Sequence, residues 1–504
     1  MVAPESEQPT SSCGSQKFGP NLSSSQHSDS PRHISSTSDL QTLDNSCQNE
    51  PREYTETDFL LPDKLYGRSR LSEAIAAKEA VRSDAPAESV CSMLLQILVP
   101  FLRAGLGTVS AGMLLDVVQN WDVFQEVTEI FILVPAVLGM KGNLEMTLAS
   151  RLSTAVNAGK MESTREKWTL IVGNLALKQL QATVLGFFAS LMAVLLGWMA
   201  DGKMPFNHIV LLCSTSVSTA FLASLVQGVI MVAVILCSKR LGINPDNVAT
   251  PMAASFGDLS TLALLACFSH WFFSFIDLYI YMLFLVDLFL VCLIPLWLVI
   301  SSKHPTSQIL LRTGWEPVIT AMVISSIGGL ILDLSVSDPN MAGIIIYAPV
   351  INGVGGNLVS IQSSRLSTSL HMNFSSGDVP DNRKGCFNPC CTFFGTGVNQ
   401  RSAQILLFLV VPGQLVFLYT IHLMKGGQTL PSPLLTVAFL AASLIQVSAL
   451  LCIADYMVHC LWRRNKDPDS YSIPYLTALG DLLGTALLAL AFLILWCIGD
   501  SGSV

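Results

Sequence analysis

From about residue 89 onward, the chain alternates long apolar stretches with short polar loops. A helix needs roughly 20 mostly apolar residues to cross the hydrocarbon core of a bilayer, and eleven stretches are long enough. The first two begin near Ser92 and Ile130, and the others lie at Leu170–Met199, His208–Cys237, Asn247–Ser269, Leu278–Ile300, Trp315–Leu334, Ala342–Leu366, Ala403–Met424, Leu434–Leu461 and Ile473–Ile498. The pattern predicts an all-α polytopic membrane protein with about 11 spans in the lipid bilayer.

Residues 1–88 have a different character, because they are rich in Ser, Asp, Glu and Pro. So little apolar surface does not offset chain entropy, and we expect a disordered cytoplasmic tail. No charged start followed by an apolar stretch precedes it, which argues against a cleaved signal peptide. Glu56 to Leu61 has the acidic dileucine pattern that sorting adaptors bind, although an inert linker is the alternative interpretation.

The composition agrees with a membrane protein, since 51% of residues are hydrophobic, 13% are charged and the mean hydropathy is +0.54. The net charge of -8 offers no basic surface for phosphates, so we expect no nucleic acid partner. The 13 cysteines are scattered, many of them inside apolar stretches, and predict no disulfide framework.

Basic residues are concentrated in alternate loops, and this asymmetry predicts the orientation. The opposite loops contain only Lys203 and Lys425 as basic residues. With eleven spans we therefore expect a cytoplasmic N-terminus, an extracellular C-terminus and residence in the plasma membrane. The basic loop residues are Lys160, Arg165, Lys167, Lys239, Arg240, Lys303, Arg312, Arg383, Lys384, Arg463, Arg464 and Lys466.

The apolar region contains an internal duplication. The segment from Pro135 to Leu144 and the later Arg151-Leu-Ser-Thr recur 214 residues further on, beginning at Pro349 and Arg365. Pro251 and the Gly-Asp-Leu that ends at Leu259 recur with a spacing of 223 residues. Agreement at so many spaced positions indicates two copies of one unit.

Each copy contains five spans, and an odd number would invert the second copy if nothing intervened. We therefore expect a tail at 1–88, a first repeat at 89–275, a connector helix and loop at 276–312, and a second repeat at 313–504. The connector makes the repeats parallel and relates them by a pseudo-two-fold axis along the membrane normal. One monomer then suffices to form the whole core.

Asp258 and Asp481 occupy equivalent places in the two repeats, and a carboxylate within a span is by default a functional candidate. Each follows by seven residues a proline that we expect at the start of its helix. Helical steps back from the two residues gather small and polar side chains on one face. The residues on that face include Asn247, Thr250, Ala254 and Thr477.

Oxygen ligands of this kind suit magnesium, which keeps several waters and is held by one or two carboxylates. No His or Cys stands beside either Asp at ligand spacing, so softer metals are disfavoured. We therefore predict a metal site around Asp258 and Asp481, in which the ion is cargo and no resident cofactor is needed. The alternative is a pair of Asp residues hydrogen-bonded to neighbouring helices without an ion.

Further polar residues extend the candidate set. Asp246 and Asp469 precede helices, where they either cap backbone N–H groups or form a cytoplasmic access point for cations. Asn143 and Asn357 follow glycines in the second span of each repeat, where small residues allow helices to approach closely. Arg103 has no acidic neighbour on its own helix, and we expect it to reach toward lipid headgroups.

The two halves differ in charge, because Lys141 and Glu145 correspond to Gly355 and Val359. Their spacing of four residues favours an ion pair on one helix face. His371 with Cys386, Cys390 and Cys391 lacks the paired spacing of a zinc site, so these cysteines are interpreted as loop residues without metal.

These motifs resemble the solute carrier family 41 magnesium transporters, eukaryotic relatives of the bacterial MgtE channels, and members 1 and 2 most of all. The resemblance runs from about Gln96 to Gly499, and its marks include Met140–Thr154, Ile243–Pro251, Asn352–Leu358 and Asp467–Thr485. It implies two repeats that each resemble one MgtE protomer, with the Asp of each Gly-Asp lining the ion path. It also implies that MgtE's cytosolic regulatory domains have no counterpart here.

Two other functions remain open from the sequence. A carrier for a monovalent cation or an organic solute is the first, because family analogy alone does not fix the substrate. An intramembrane aspartyl protease is the second, since it also needs two Asp residues on facing helices. Its glycine pattern fails here, with Ser255 and Ala478 three positions before the Asp residues, so we expect no enzymatic activity.

Overall fold

The structure is a computed structural model that describes residues 90–157, 163–241, 246–276, 279–303, 307–308, 311–312, 314–341, 343–373, 392–395, 397–426, 431–466 and 468–499. The predicted tail, with its dileucine pattern, lies outside these residues. So do the three cysteines of the loop before residue 392.

Every regular element in the described ranges is a helix, and eleven of the helices are long and apolar enough to cross a membrane. The first part of the chain forms α1 (Val90–Val118), the short α2 (Asp122–Glu126), α3 (Ile130–Asn157), α4 (Thr164–Asp201), α5 (Phe206–Leu241) and α6 (Asp246–Ile276). Next come α7 (Ile280–Ser301), α8 (Glu316–Val336), α9 (Ile344–Asn373), α10 (Val398–Met424), α11 (Pro433–Arg463) and α12 (Pro468–Ile498). The predicted fold class is confirmed.

The positions of the spans agree with the hydropathy pattern, but two details differ. The helix α2 was not predicted, because five mostly polar residues leave no span-like signal. The expectation that a proline starts each Asp-bearing helix is wrong: Pro251 and Pro474 lie inside α6 and α12, beyond the first turn. Pro468 occupies the start of α12 instead, where the missing N–H costs no hydrogen bond.

The two repeats exchange their first helices. The helix α1 packs against α9 of the second repeat, and α8 packs against α3 of the first. Glycines allow these crossings, since a Cβ at Gly112 would collide with the carbonyl oxygen of Ile346, and a Cβ at Gly329 with that of Ile132. The two contacts are equivalent by the repeat spacing and show that the halves are related by an approximate two-fold axis.

The central helices α3 and α9 are the most enclosed spans, and the connector α7 is the least enclosed. The helix α7 packs against α4 and α5, and it exposes a row of large apolar side chains to the surroundings. Its Asp287, which the sequence analysis overlooked, accepts a hydrogen bond of 2.7 Å from the Ser214 hydroxyl of α5. This bond joins the connector to the first repeat.

Candidate functional site

A cavity of about 100 Å³ lies between the repeats and is lined by residues of both. The helices α3, α6, α9 and α12 contribute most of its wall, together with one residue of α8. We call it the inter-repeat cavity. Its polar lining residues are Asn143, Asp258, Asn352, Asn357, Thr477 and Asp481.

The carboxylate of Asp481 is held from both repeats. The Ser325 hydroxyl of α8 donates a hydrogen bond of 2.8 Å to its Oδ2. Gly139 of α3 lies so close that a Cβ there would stand 2.8 Å from the same oxygen. The absence of a side chain at Gly139 therefore lets a carboxylate of one repeat reach the wall formed by the other.

Two further hydrogen bonds position the polar lining. The Thr477 hydroxyl donates to Oδ1 of Asn143 at 3.1 Å, which links α12 to α3 of the opposite repeat. Asn352 Nδ2 donates to the Thr485 hydroxyl at 2.9 Å within the second repeat. These bonds fix side-chain amides whose remaining oxygen and nitrogen atoms define the polarity of the cavity.

The peptide before each Asp is bound in the same way in both repeats. Gln227 Nε2 donates to the Gly257 carbonyl at 3.1 Å, and Gln446 Nε2 donates to the Gly480 carbonyl at 2.9 Å. Each glutamine comes from the fourth span of its own repeat. The paired arrangement holds the two Gly-Asp turns in equivalent geometry.

Beside Asp258 the first repeat carries a buried charged cluster that the second lacks. Lys141 donates a hydrogen bond to the Gly257 carbonyl and lies 3.5 Å from Glu145 Oε1. Lys178 of α4 lies 3.7 Å from the same carboxylate oxygen, and all three side chains are at most 4% exposed. The predicted Lys141–Glu145 pair is thus present, but a second lysine shares the glutamate.

The structure brings five of the predicted site residues together in one cavity. Asn143, Asn357 and Thr477 line it together with Asp258 and Asp481. The side chains of the remaining five lie outside the described residues, namely Asp246, Asn247, Thr250, Ala254 and Asp469. Arg103 is exposed on α1 and takes no part in the cavity.

Several contributors escaped sequence reasoning. Ser325 carries a detectable signal, because it stands 217 residues after Thr108, the spacing that also relates Gly112 to Gly329. Lys178 carries none, since its partner Glu145 lies on another helix. Long-range contacts of this kind appear only once the helices are packed.

The cavity provides hard oxygen ligands. Two carboxylates converge on it with amide and hydroxyl oxygens around them, and in the described part of the chain no three His, Cys, Asp or Glu side chains form a cluster. Such a donor set suits a divalent cation that retains part of its water shell.

Comparison with protein families places this geometry in a known class. Residues 134–268 and 348–491 each match the MgtE family, described as "Divalent cation transporter". The two matches cover most of α3 to α6 and α9 to α12, the helices that surround the cavity. Fold and site together define an MgtE-type divalent cation transporter.

The relatives narrow the assignment. "Solute carrier family 41 member 2" of Xenopus laevis is 62% identical over 446 residues, 88% of this chain and 79% of the relative. The Homo sapiens member 2 is 62% identical over 449 residues, 89% of this chain and 78% of the relative. "Solute carrier family 41 member 3" of Rattus norvegicus is 46% identical over 410 residues, 81% and 88% of the two chains. The protein belongs to solute carrier family 41, and no solved structure matches it.

Proposed function

We propose that this protein transports Mg²⁺ through the inter-repeat cavity, where Asp258 and Asp481 bind a partly hydrated ion. One observation carries the proposal: two carboxylates at equivalent positions of the repeats line a single cavity on the boundary between them. Their charges interact, so a divalent cation placed between them relieves the repulsion of two anions in a low-dielectric region.

The size and chemistry of the cavity favour magnesium over softer metals. Its volume of about 100 Å³ exceeds the roughly 10–15 Å³ of such space that one water needs. Several waters therefore fit beside an ion. Mg²⁺ sheds water reluctantly and needs few protein carboxylates, whereas zinc and copper prefer imidazole or thiolate ligands.

The rival functions fit less well. Two facing carboxylates would also suit an intramembrane aspartyl protease, but membership in a divalent cation transporter family supports transport. A monovalent cation needs only one carboxylate for charge balance, so a conserved pair across the two-fold axis of this chain is better matched by a divalent ion.

The test is Mg²⁺ flux in liposomes that contain the purified protein. Asp258→Asn and Asp481→Asn should each lower the flux by roughly 100-fold, the scale expected when one of two charged ligands is lost at low dielectric. Asp287→Asn is the matched control, because it neutralises an intramembrane carboxylate outside the cavity. That variant should retain most of the flux.

Normal Mg²⁺ flux in both cavity variants would contradict the paired-carboxylate mechanism. Competition by Na⁺, K⁺ or organic solutes at concentrations comparable to Mg²⁺ would favour the rival carrier instead. Repeating the measurement with and without a sodium gradient distinguishes channel-like flux from coupled exchange.

A further inference from the structure

We propose that Lys141 is a tethered cation: in the empty cavity its ammonium neutralises Asp258, and it transfers to Glu145 when a divalent cation binds. The proposal rests on the proposed function and concerns the charge that the arriving ion meets. It predicts that the two carboxylates of the site are unequal, with Asp481 available at once and Asp258 available only after Lys141 is displaced.

The first step is a count of the buried charges. Lys141 and Lys178 share the single carboxylate of Glu145, at 3.5 and 3.7 Å. All three groups are almost completely buried, and an uncompensated charge inside a membrane protein is strongly unfavourable. One of the two lysines therefore needs another negative partner.

Asp258 is positioned to be that partner for Lys141. Among the described residues, the carboxylates that act on Lys141 are Glu145 and Asp258. Lys178 interacts instead with Glu145, and with the basic groups of Lys141 and Arg151, which supply no negative charge. The natural division pairs Lys178 with Glu145 and Lys141 with Asp258.

The backbone around Asp258 is built to admit the ammonium. Lys141 donates to the carbonyl of Gly257, the residue directly before Asp258. A Cβ on Gly257 would stand 2.9 Å from both Lys141 Nζ and Glu145 Oε2, so only glycine leaves room for both groups. The ammonium thus lies between the two carboxylates and can move from one to the other by rotation of its side chain.

The second repeat lacks this arrangement. Gly355 replaces Lys141, and a Cβ there would meet the amide group of Gln446. A Cβ on the equivalent glycine, Gly480, would make only an ordinary contact, 3.4 Å from the backbone of Gly356. Asp481 accordingly receives a neutral hydroxyl from Ser325 instead of a cation.

The consequence is a site whose affinity is limited by competition. A divalent ion that binds both carboxylates must displace Lys141 from Asp258, and Lys141 assists release by returning. Glu145 sets the balance because it receives the displaced ammonium.

The test is Mn²⁺ binding to the full-length purified protein, measured by the electron paramagnetic resonance signal of free Mn²⁺, with Mg²⁺ competition to show a shared site. Lys141→Met should lower the Kd for Mn²⁺ about tenfold, the scale of one moderately screened charge interaction. This variant leaves Glu145 paired with Lys178, so we expect it to fold, as checked by thermal unfolding in detergent. Glu145→Gln should raise the Kd, because it removes the acceptor of the displaced ammonium.

Double variants separate a specific effect on Asp258 from a general effect of charge. In an Asp258→Asn background, Lys141→Met should change the Kd by less than about twofold, because its partner is gone. In an Asp481→Asn background, it should recover part of the lost binding by freeing Asp258. An unchanged or higher Kd for Lys141→Met alone would overturn the proposal, as would an equal decrease in the Asp258→Asn background.

Failure of the underlying function has a different signature. If Asp258→Asn and Asp481→Asn both leave Mn²⁺ binding intact, the cavity is not the ion site. If both abolish tight binding while Lys141→Met has no effect, the cavity is the site and only the tethered cation is wrong.

Discussion

Asp258 and Asp481 stand at equivalent positions, yet their neighbours differ in kind. Asp481 accepts a hydrogen bond from Ser325, whereas Thr108, which corresponds to Ser325, donates its hydroxyl to Gly105 on its own helix at 2.8 Å. Asp258 has the ammonium of Lys141 nearby instead. The site is therefore two-fold in backbone and asymmetric in chemistry.

This difference predicts unequal effects of two matched substitutions. Ser325→Ala removes the only printed side-chain donor to Asp481 and should raise the Km for Mg²⁺ roughly 10-fold, since a hydrogen bond to a charged group contributes about 1.5–3 kcal/mol. Thr108→Val removes the corresponding hydroxyl of the first repeat while preserving its shape, and should change the Km less than about twofold. Liposome flux at varied Mg²⁺ measures both.

Equal effects of these two substitutions would show that the hydroxyls act through helix packing rather than through Asp481. Normal kinetics in Ser325→Ala would show that the hydrogen bond to Asp481 is not used during transport.

The site could be predicted from sequence only as far as the duplication reaches. Asp258 and Asp481 stood out because each repeat carries one, and Asn143 and Asn357 for the same reason. A repeat marks what the halves share and is silent about where they differ. Lys178 was therefore missed, because its importance arises from a contact between α3 and α4.

At the level of helices, the crossings of α1 with α9 and of α8 with α3 depend on single glycines. The absence of a hydrophobic driving force between helices in lipid makes such close backbone contacts a main source of association. Gly112 and Gly329 each meet a backbone carbonyl, which has little freedom to move aside.

We expect Gly112→Ala and Gly329→Ala to destabilise the protein by similar amounts, about 1–3 kcal/mol each, as overpacked contacts do. Thermal unfolding in detergent measures the effect. Gly142→Ala is the matched control, because no atom lies within 4 Å of a Cβ at that position on α3, and its unfolding temperature should be unchanged or slightly raised. A large drop only for one of the crossing glycines would argue against equivalent helix pairs.

Hydropathy predicted the number and order of the spans well, because lipid requires about 20 apolar residues whatever the tertiary contacts are. The ends of the helices were less predictable. The helix α6 continues to Ile276, several residues past the predicted Ser269, and α2 occupies what the pattern left as a loop. Such extensions are set by packing and not by the thickness of the membrane.

For the molecule as a whole, the distribution of basic residues and the odd number of spans predict opposite locations for the termini. In intact cells, a tag at the C-terminus should be labelled by an impermeant antibody from outside, and a tag at the N-terminus only after permeabilisation. If the protein resides in an internal membrane, selective permeabilisation of the plasma membrane gives the same contrast with the lumen. Labelling of both tags from one side would mean an even number of spans.

The exchange of first helices between the repeats also has a consequence for synthesis. The partner surface of α1 is on α9, which begins roughly 225 residues after α1 ends. At about 5–20 residues per second, the ribosome needs roughly 11–45 s to produce it. During that interval the Gly112 face of α1 stays without its native neighbour in the membrane. The first repeat therefore reaches its native packing late in translation, and a chain that stops before Ile344 leaves it unfinished.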